Sequence, residues 1–168
     1  MNPHDLMLGV HILTGAGGFL LGLAALLLPK FGPRALWHRR VGRVYAVCML
    51  IMGALSVSLA WQGGSVVLFV IGWLTLGWVG GDWWAIRRAL ASRRAGNTEG
   101  AARWLQTHVT LMGSSYIGAW TAFLLNVEPL GAGGTVFWVY ALGPTVLGTV
   151  LIARSNRRLQ VRGVTRAV

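Results

Sequence analysis

The sequence predicts an all-α protein: a polytopic transmembrane bundle of five spans, with its N-terminus outside and its C-terminus cytoplasmic. Three observations carry that expectation. Of 168 residues, 55% are hydrophobic and only 11% are charged, whereas a soluble domain carries about 25% charged residues. The apolar residues gather in runs at roughly Leu6–Pro29, Leu36–Gln62, Ser65–Ile86, Trp104–Asn126 and Thr135–Ala153. Each is close to the ~20 residues that cross a hydrocarbon core of about 30 Å. All 15 Lys and Arg fall in 30–43, in 87–103 or beyond Ala153, and none falls in the N-terminal residues, at Gly63-Gly64 or in 127–134. Cytoplasmic loops carry such an excess of Lys and Arg, and the opposite orientation would place every cation on the wrong side.

The same placement accounts for the net charge of +11. A basic chain suggests nucleic acid, but these cations form three blocks that alternate with apolar runs. They are therefore expected to face a lipid bilayer with an anionic inner leaflet rather than nucleic acid. No second domain or long polar linker is visible. Residues 1–153 are expected to form one transmembrane domain, and 154–168 a basic cytoplasmic tail lying on the inner leaflet surface. The opening MNPHDLM lacks the positive flank of a secretory signal, so the first span is expected to be retained. Cys48 is the single cysteine and has no partner for an intrachain disulfide.

In the first run, His11, Thr14, Gly15, Gly18 and Gly22 recur at helical spacing. Small residues let helix backbones approach in lipid, so this face is expected to pack on a neighbour. Pro29 and the Gly32-Pro33 pair separate the first helix from the second. The second carries His38, Gly42, Tyr45, Met49 and Met52 along one continuous face. The third holds Gly77 and Gly81 as an expected close-packing pair, beside Asp82, the only acid inside any span. Asn97, Thr98 and Glu99 offer a polar start to the fourth helix. The fifth contains Gly143-Pro144, where a kink is expected. Of the nine tryptophans, Trp61, Trp83, Trp84 and Trp104 fall near span ends, where such rings settle at headgroup level. Trp73, Trp78 and Trp120 lie deeper and are expected to serve packing.

Depth decides which polar side chains can meet. His108 and Asp82 each lie ~6 Å in from the cytoplasmic end of their spans, and His38 opens the second span at that level. Arg43 and Tyr45 sit slightly deeper. These five residues are expected to form one cytoplasm-side cluster, read first as charge-compensated packing, since an ionised group inside a span needs a partner. A metal site of His38, Asp82 and His108 is a second reading, with N and O ligands suited to zinc. Haem b held by His38 and His108 is a third. Met112 lies one turn from His108 on the same helix, so the two cannot clamp opposite faces of one haem, and a methionine ligand would have to come from elsewhere. Proton movement through His and Asp, with His11 as an outer relay, is a fourth. His11 lies ~7 Å below the outer surface, on the order of 15 Å from His108, too far to share a metal. It is expected to be a neutral imidazole bonded to a Tyr, a Ser or a backbone carbonyl. Ser114 and Ser115 lack a partnered acid and base, so no catalytic set is assigned.

The segments WHRRVGRVY (Trp37–Tyr45), THVTLMGSSYIGAWTAFLLN (Thr107–Asn126) and GPTVLGTVLI (Gly143–Ile152) resemble a family of small prokaryotic multi-pass membrane proteins with a domain of unknown function. Its shared elements fall here on His11, on His38, Arg39, Gly42, Arg43 and Tyr45, and on His108 and Met112. Relatives commonly place Trp before that Met and Arg soon after it, where this chain has Leu111 and Ser114. The resemblance implies a prokaryotic inner-membrane location and directs attention to the three histidines, but it supplies no activity or cofactor. The leading expectation is therefore a non-catalytic membrane component that uses its glycine faces to pack on a partner subunit or a second copy. The rivals are a haem b- or metal-binding membrane redox protein and a proton-linked small-solute transporter.

Overall fold

A computed structural model of the protein describes residues 2–30, 32–127 and 135–165. The described residues form five helices: α1 (Pro3–Leu27), α2 (Ala35–Gly63), α3 (Val66–Arg94), α4 (Thr98–Val127) and α5 (Thr135–Thr165), with no strand among them. From residue 128 on, the turn expected over 127–134 lies outside the described residues, as does the end of the expected tail at 166–168. Four helical stretches, Pro3–Leu27, Ala35–Gly63, Val66–Arg94 and Phe137–Leu159, are long and apolar enough to cross a membrane. Helix α4 is more polar, because Gln106, Thr107, His108, Thr110, Ser114 and Ser115 dilute its apolar run.

The helices outrun the apolar stretches expected from the sequence. Helix α3 continues past Ile86 to Arg94, α4 begins at Thr98 rather than Trp104, and α5 runs through Arg154, Arg157 and Arg158 to Thr165. Hydropathy marks where lipid ends, not where helix ends, and Arg, Ala and Leu propagate a helix well in water. Pro144 sits inside α5 without ending it.

The ends follow from local chemistry. Asn2 accepts a bond from the backbone N–H of His4 at 3.2 Å and Pro3 occupies the first helical position, a standard way to begin a helix. Leu28, forced extended by the proline that follows it, closes α1, and the Lys30 ammonium donates to the Leu26 carbonyl at 2.9 Å. Gly64 ends α2 at φ +71°, a left-handed backbone that glycine alone adopts without strain. At the end of α3 the N–H of Asn97 reaches the carbonyl of Ser92 and that of Gly96 reaches Arg93, the paired closure that left-handed Gly96 permits. Asn97 then turns to the next helix, its Oδ1 accepting from the N–H of Gly100 at 2.7 Å.

The described chain divides into two compact units, Met1–Gly77 and Trp78–Val168. In the first, α1 packs on α2, with Tyr45, Met49, Met52, Ser56 and Leu59 of α2 buried. Gly18 and Gly22 of α1 are buried too. A methyl group added at Gly15 would meet Met52 Sδ at 3.5 Å, and one at Gly18 would meet Met49 Sδ at 3.2 Å. The small-residue face of α1 thus receives the methionine face of α2. Helix α2 comes close to the start of α3 at Gly53 and Gly72, where a methyl on Gly72 would lie 3.0 Å from the Gly53 carbonyl oxygen. Gly77, expected as half of a close-packing pair, faces open space, whereas Gly81 faces Leu111.

In the second unit α4 packs on α5. Gly113 makes room for Ile152 and Gly148 for Ile117, while Asn156 donates to Thr110 Oγ1 at 3.2 Å. As α4 positions rise, their α5 partners fall, so the two helices run antiparallel. The α3 segment of this unit meets α4 in the same sense, through Trp84 with Trp104, Asp82 with His108, Gly81 with Leu111, and Trp78 with Gly118.

Candidate functional site

The site is built where the buried stripe of α3 meets α4. Within the second unit, Val79, Asp82, Ala85 and Ala89 recur at three- and four-residue spacing and are all buried, the period of one helical face. Every one of them is small or apolar except Asp82, which brings a carboxylate. Asp82 is only 8% exposed, so its charge needs a partner from a facing helix. His108 supplies it: the ring Nδ1 and Asp82 Oδ1 are 2.5 Å apart. A charge-assisted bond of this kind is shorter and stronger than a neutral one.

The neighbours set the level of this pair. Toward the basic end of α3, the rings of Trp84 and Trp104 meet edge to face with centroids 4.7 Å apart. Arg87 lies over the Trp83 ring at 5.0 Å and Arg88 over Trp84 at 5.2 Å. Indoles capped by guanidinium groups suit a headgroup layer. Deeper than the pair come Leu111 against Gly81 and Trp78 against Gly118. Ser115, wholly buried, donates its hydroxyl to the Met112 carbonyl at 2.9 Å. That bond turns the hydroxyl back onto its own helix, a packing role for this serine.

The remaining residues singled out from the sequence lie in the first unit. The Nδ1 of His38 sits 2.9 Å from the Ala25 carbonyl and ties the start of α2 to the last turn of α1. His38 and His108 each have a further contact as well. Arg43 is exposed and donates from Nε to the Arg39 carbonyl of its own helix at 3.4 Å. Tyr45 is buried at 3% exposure in the α2 face. His11 lies against the backbone of Met52. Among the described residues, no group of three or more His, Cys, Asp or Glu side chains is arranged to hold a metal ion. Of the expected cluster, Asp82 and His108 meet, while His38 is engaged by the Ala25 carbonyl.

Two features of the packing lie beyond what sequence spacing can signal. One is the Gly53/Gly72 approach, since Gly72 has no second glycine one turn away on its own helix. The other is the run of methionine sulfurs against Gly15 and Gly18; the spacing of each face is visible separately, but not that the two faces meet.

Residues 8–153 match the family described as predicted membrane protein, DUF2306. The chain belongs to this family. The match covers α1 through most of the apolar part of α5, and therefore both His108 and Asp82 in their helical setting. No curated protein and no solved structure matches the chain. Membership of DUF2306 establishes a membrane protein with several apolar helices, and it carries no assigned activity.

Proposed function

We propose that this DUF2306 member is a non-catalytic component of a prokaryotic inner membrane, in which the Asp82–His108 pair fastens α3 to α4 near the cytoplasmic surface. The observation that carries this reading is the pairing itself. A buried carboxylate takes its counter-group from the adjacent helix at 2.5 Å, and tight side-chain contacts flank the pair on both sides. A shallow surface on α5 is lined by Trp138, Val139, Leu142, Gly143, Val146 and Leu147. Paired polar groups of this kind hold helices together in lipid.

The proposal includes the threading. Helix α4 crosses as the fourth of the five spans despite its polarity, because His108 and Asp82 compensate one another and its hydroxyls bond back to helix carbonyls, as Thr107 does to Arg103 and Thr110 to Gln106. The N-terminus then faces outward, and the three basic blocks face the anionic inner leaflet.

The rival is a redox protein with haem b on His38 and His108, and absorbance separates the two. Protein purified in detergent from haem-replete cells is expected to show no Soret band. A Soret band that vanishes in His108→Ala and His38→Ala would replace the packing role with a haem site.

A further inference from the structure

We propose that the basic end of α3 in the second unit holds an anionic phospholipid, with its phosphate on Arg87 and Arg88 and its acyl carbon against Trp83 and Trp84. This rests on the reading of the basic blocks as leaflet-facing and deepens it, because it assigns a discrete headgroup site to one of them. The first sign is a repeated step. Trp83 and Arg87, then Trp84 and Arg88, stand four residues apart, and each guanidinium lies over the indole one turn before it, at 5.0 and 5.2 Å. Residues at that spacing are neighbours on one side of a helix. Two such steps side by side place two cations next to one another on an exposed face.

Both cations keep their hydrogen-bonding edge for a ligand. A guanidinium carries its N–H donors in its plane, and contact with a ring uses its face and none of those donors. The edge matches phosphate oxygens, which accept two parallel bonds from one arginine. Among the described residues no carboxylate pairs with Arg87 or Arg88, and the ion pair in this unit joins Asp82 to His108. Residues 87–103 carry five arginines against one glutamate, Glu99, so the local field attracts an anion.

The platform is held in place before a ligand arrives. Trp104 of α4 meets Trp84 edge to face with centroids 4.7 Å apart, which fixes the indole beneath Arg88. Ala85 and Ala89 are buried on the opposite side of α3, so the indole and guanidinium pairs are turned outward.

The two kinds of side chain together select the partner. Trp83 and Trp84 are 67% and 51% exposed, and they lie on the apolar side of the arginines, in a helix long and apolar enough to cross a membrane. A small anion from water would engage the guanidinium groups and leave the rings uncovered. A phospholipid brings a phosphate with glycerol and acyl carbon directly beneath it, and so covers both. A zwitterionic headgroup offsets its phosphate with its own ammonium, which favours lipids of net negative charge.

The full chain, delipidated in a non-ionic detergent and titrated with phosphatidylglycerol or phosphatidylcholine, tests this site by native mass spectrometry. One phosphatidylglycerol per chain is expected to stay bound under conditions that strip phosphatidylcholine. Arg87→Gln with Arg88→Gln should weaken its retention by roughly tenfold or more. Arg157→Gln with Arg158→Gln removes two exposed cations from α5 and should change retention by less than about twofold, since distant exposed charges are screened. Arg87→Lys with Arg88→Lys keeps the charge but not the planar edge, and should still lose at least about threefold. All of these side chains are exposed, so thermal midpoints close to that of the parent are expected. Equal weakening by the α5 pair would reduce the attraction to a diffuse field and overturn the assignment. So would full retention in the glutamine or the lysine pair, equal retention of phosphatidylcholine, or release of the lipid by equimolar inorganic phosphate. The measurement in detergent does not depend on orientation, so a reversed threading found with reporter fusions would leave this result standing, and its failure would leave the threading untouched.

Discussion

Replacing His108 with alanine is expected to destabilise the protein more than replacing Asp82 with alanine does. The asymmetry comes from what each substitution leaves behind. Without His108, the Asp82 carboxylate stays buried at 8% exposure with its counter-group gone. Removing one partner of a buried pair costs roughly 3–5 kcal/mol, and less near the end of a span than at its centre. Without Asp82, the imidazole loses one acceptor but leaves no buried carboxylate behind. The double replacement Asp82→Leu with His108→Leu removes both charges and fills the space. It is expected to recover most of the loss, because an apolar pair of similar volume often equals a buried ion pair in stability. Thermal midpoints in detergent of the parent, the two alanine variants and the combined alanine double, read as a double-mutant cycle, measure the coupling, and the leucine pair is compared with them. Equal losses in the two single variants, with simple addition in the double, would remove the pair from its fastening role.

The second large effect is expected at Gly72. A methyl group there would lie 2.9 Å from Val57 Cγ2, 3.0 Å from the Gly53 carbonyl oxygen and 3.0 Å from Ser56 Cβ. The valine can rotate, but the carbonyl belongs to the α2 backbone and can yield only if the helices part. Gly72→Ala should therefore cost about 1–3 kcal/mol, the usual range for overpacking a tight contact, and Gly72→Leu more. Gly77→Ala is the matched control on the same helix: nothing lies within 4 Å of a methyl there, so a change within about 0.5 kcal/mol is expected. Thermal unfolding of the three variants decides the matter. A Gly77 variant as unstable as the Gly72 variant would show that glycine flexibility, and not the close approach, matters at these positions.

How much of the molecule is legible in its sequence depends on the kind of question asked. The helical class follows from apolar runs and missing charge, and helix ends follow from particular residues: Gly64 and Gly96 with their left-handed backbones, Asn97 with its cap, and Pro29 after an extended Leu28. These are local effects, settled within a few residues. Hydropathy understates helix length because the Arg-rich flanks at 87–94 and 154–158 stay helical beyond the apolar run. Which residues face each other is harder to see. Periodicity places Asp82 and His108 at one depth but does not set the rotation of α3 against α4. Without that rotation, Gly77 looks like a packing residue and Gly72 does not. Arg43 likewise falls among the buried polar residues by depth, whereas its guanidinium bonds the Arg39 carbonyl on an exposed surface. The His11 environment depends on Met52 of another helix, a pairing that no spacing within α1 reveals.

The central claim is the threading: five crossings, with 15 cations gathered at the cytoplasmic face. Reporter fusions at the two chain ends, one active only in the cytoplasm and the other only outside it, test it most directly. The N-terminus is predicted outside and the C-terminus in the cytoplasm. Both ends in one compartment would mean an even number of crossings, with α4 excluded from the membrane and the Asp82–His108 pair relieved of the burial in lipid that its proposed role requires.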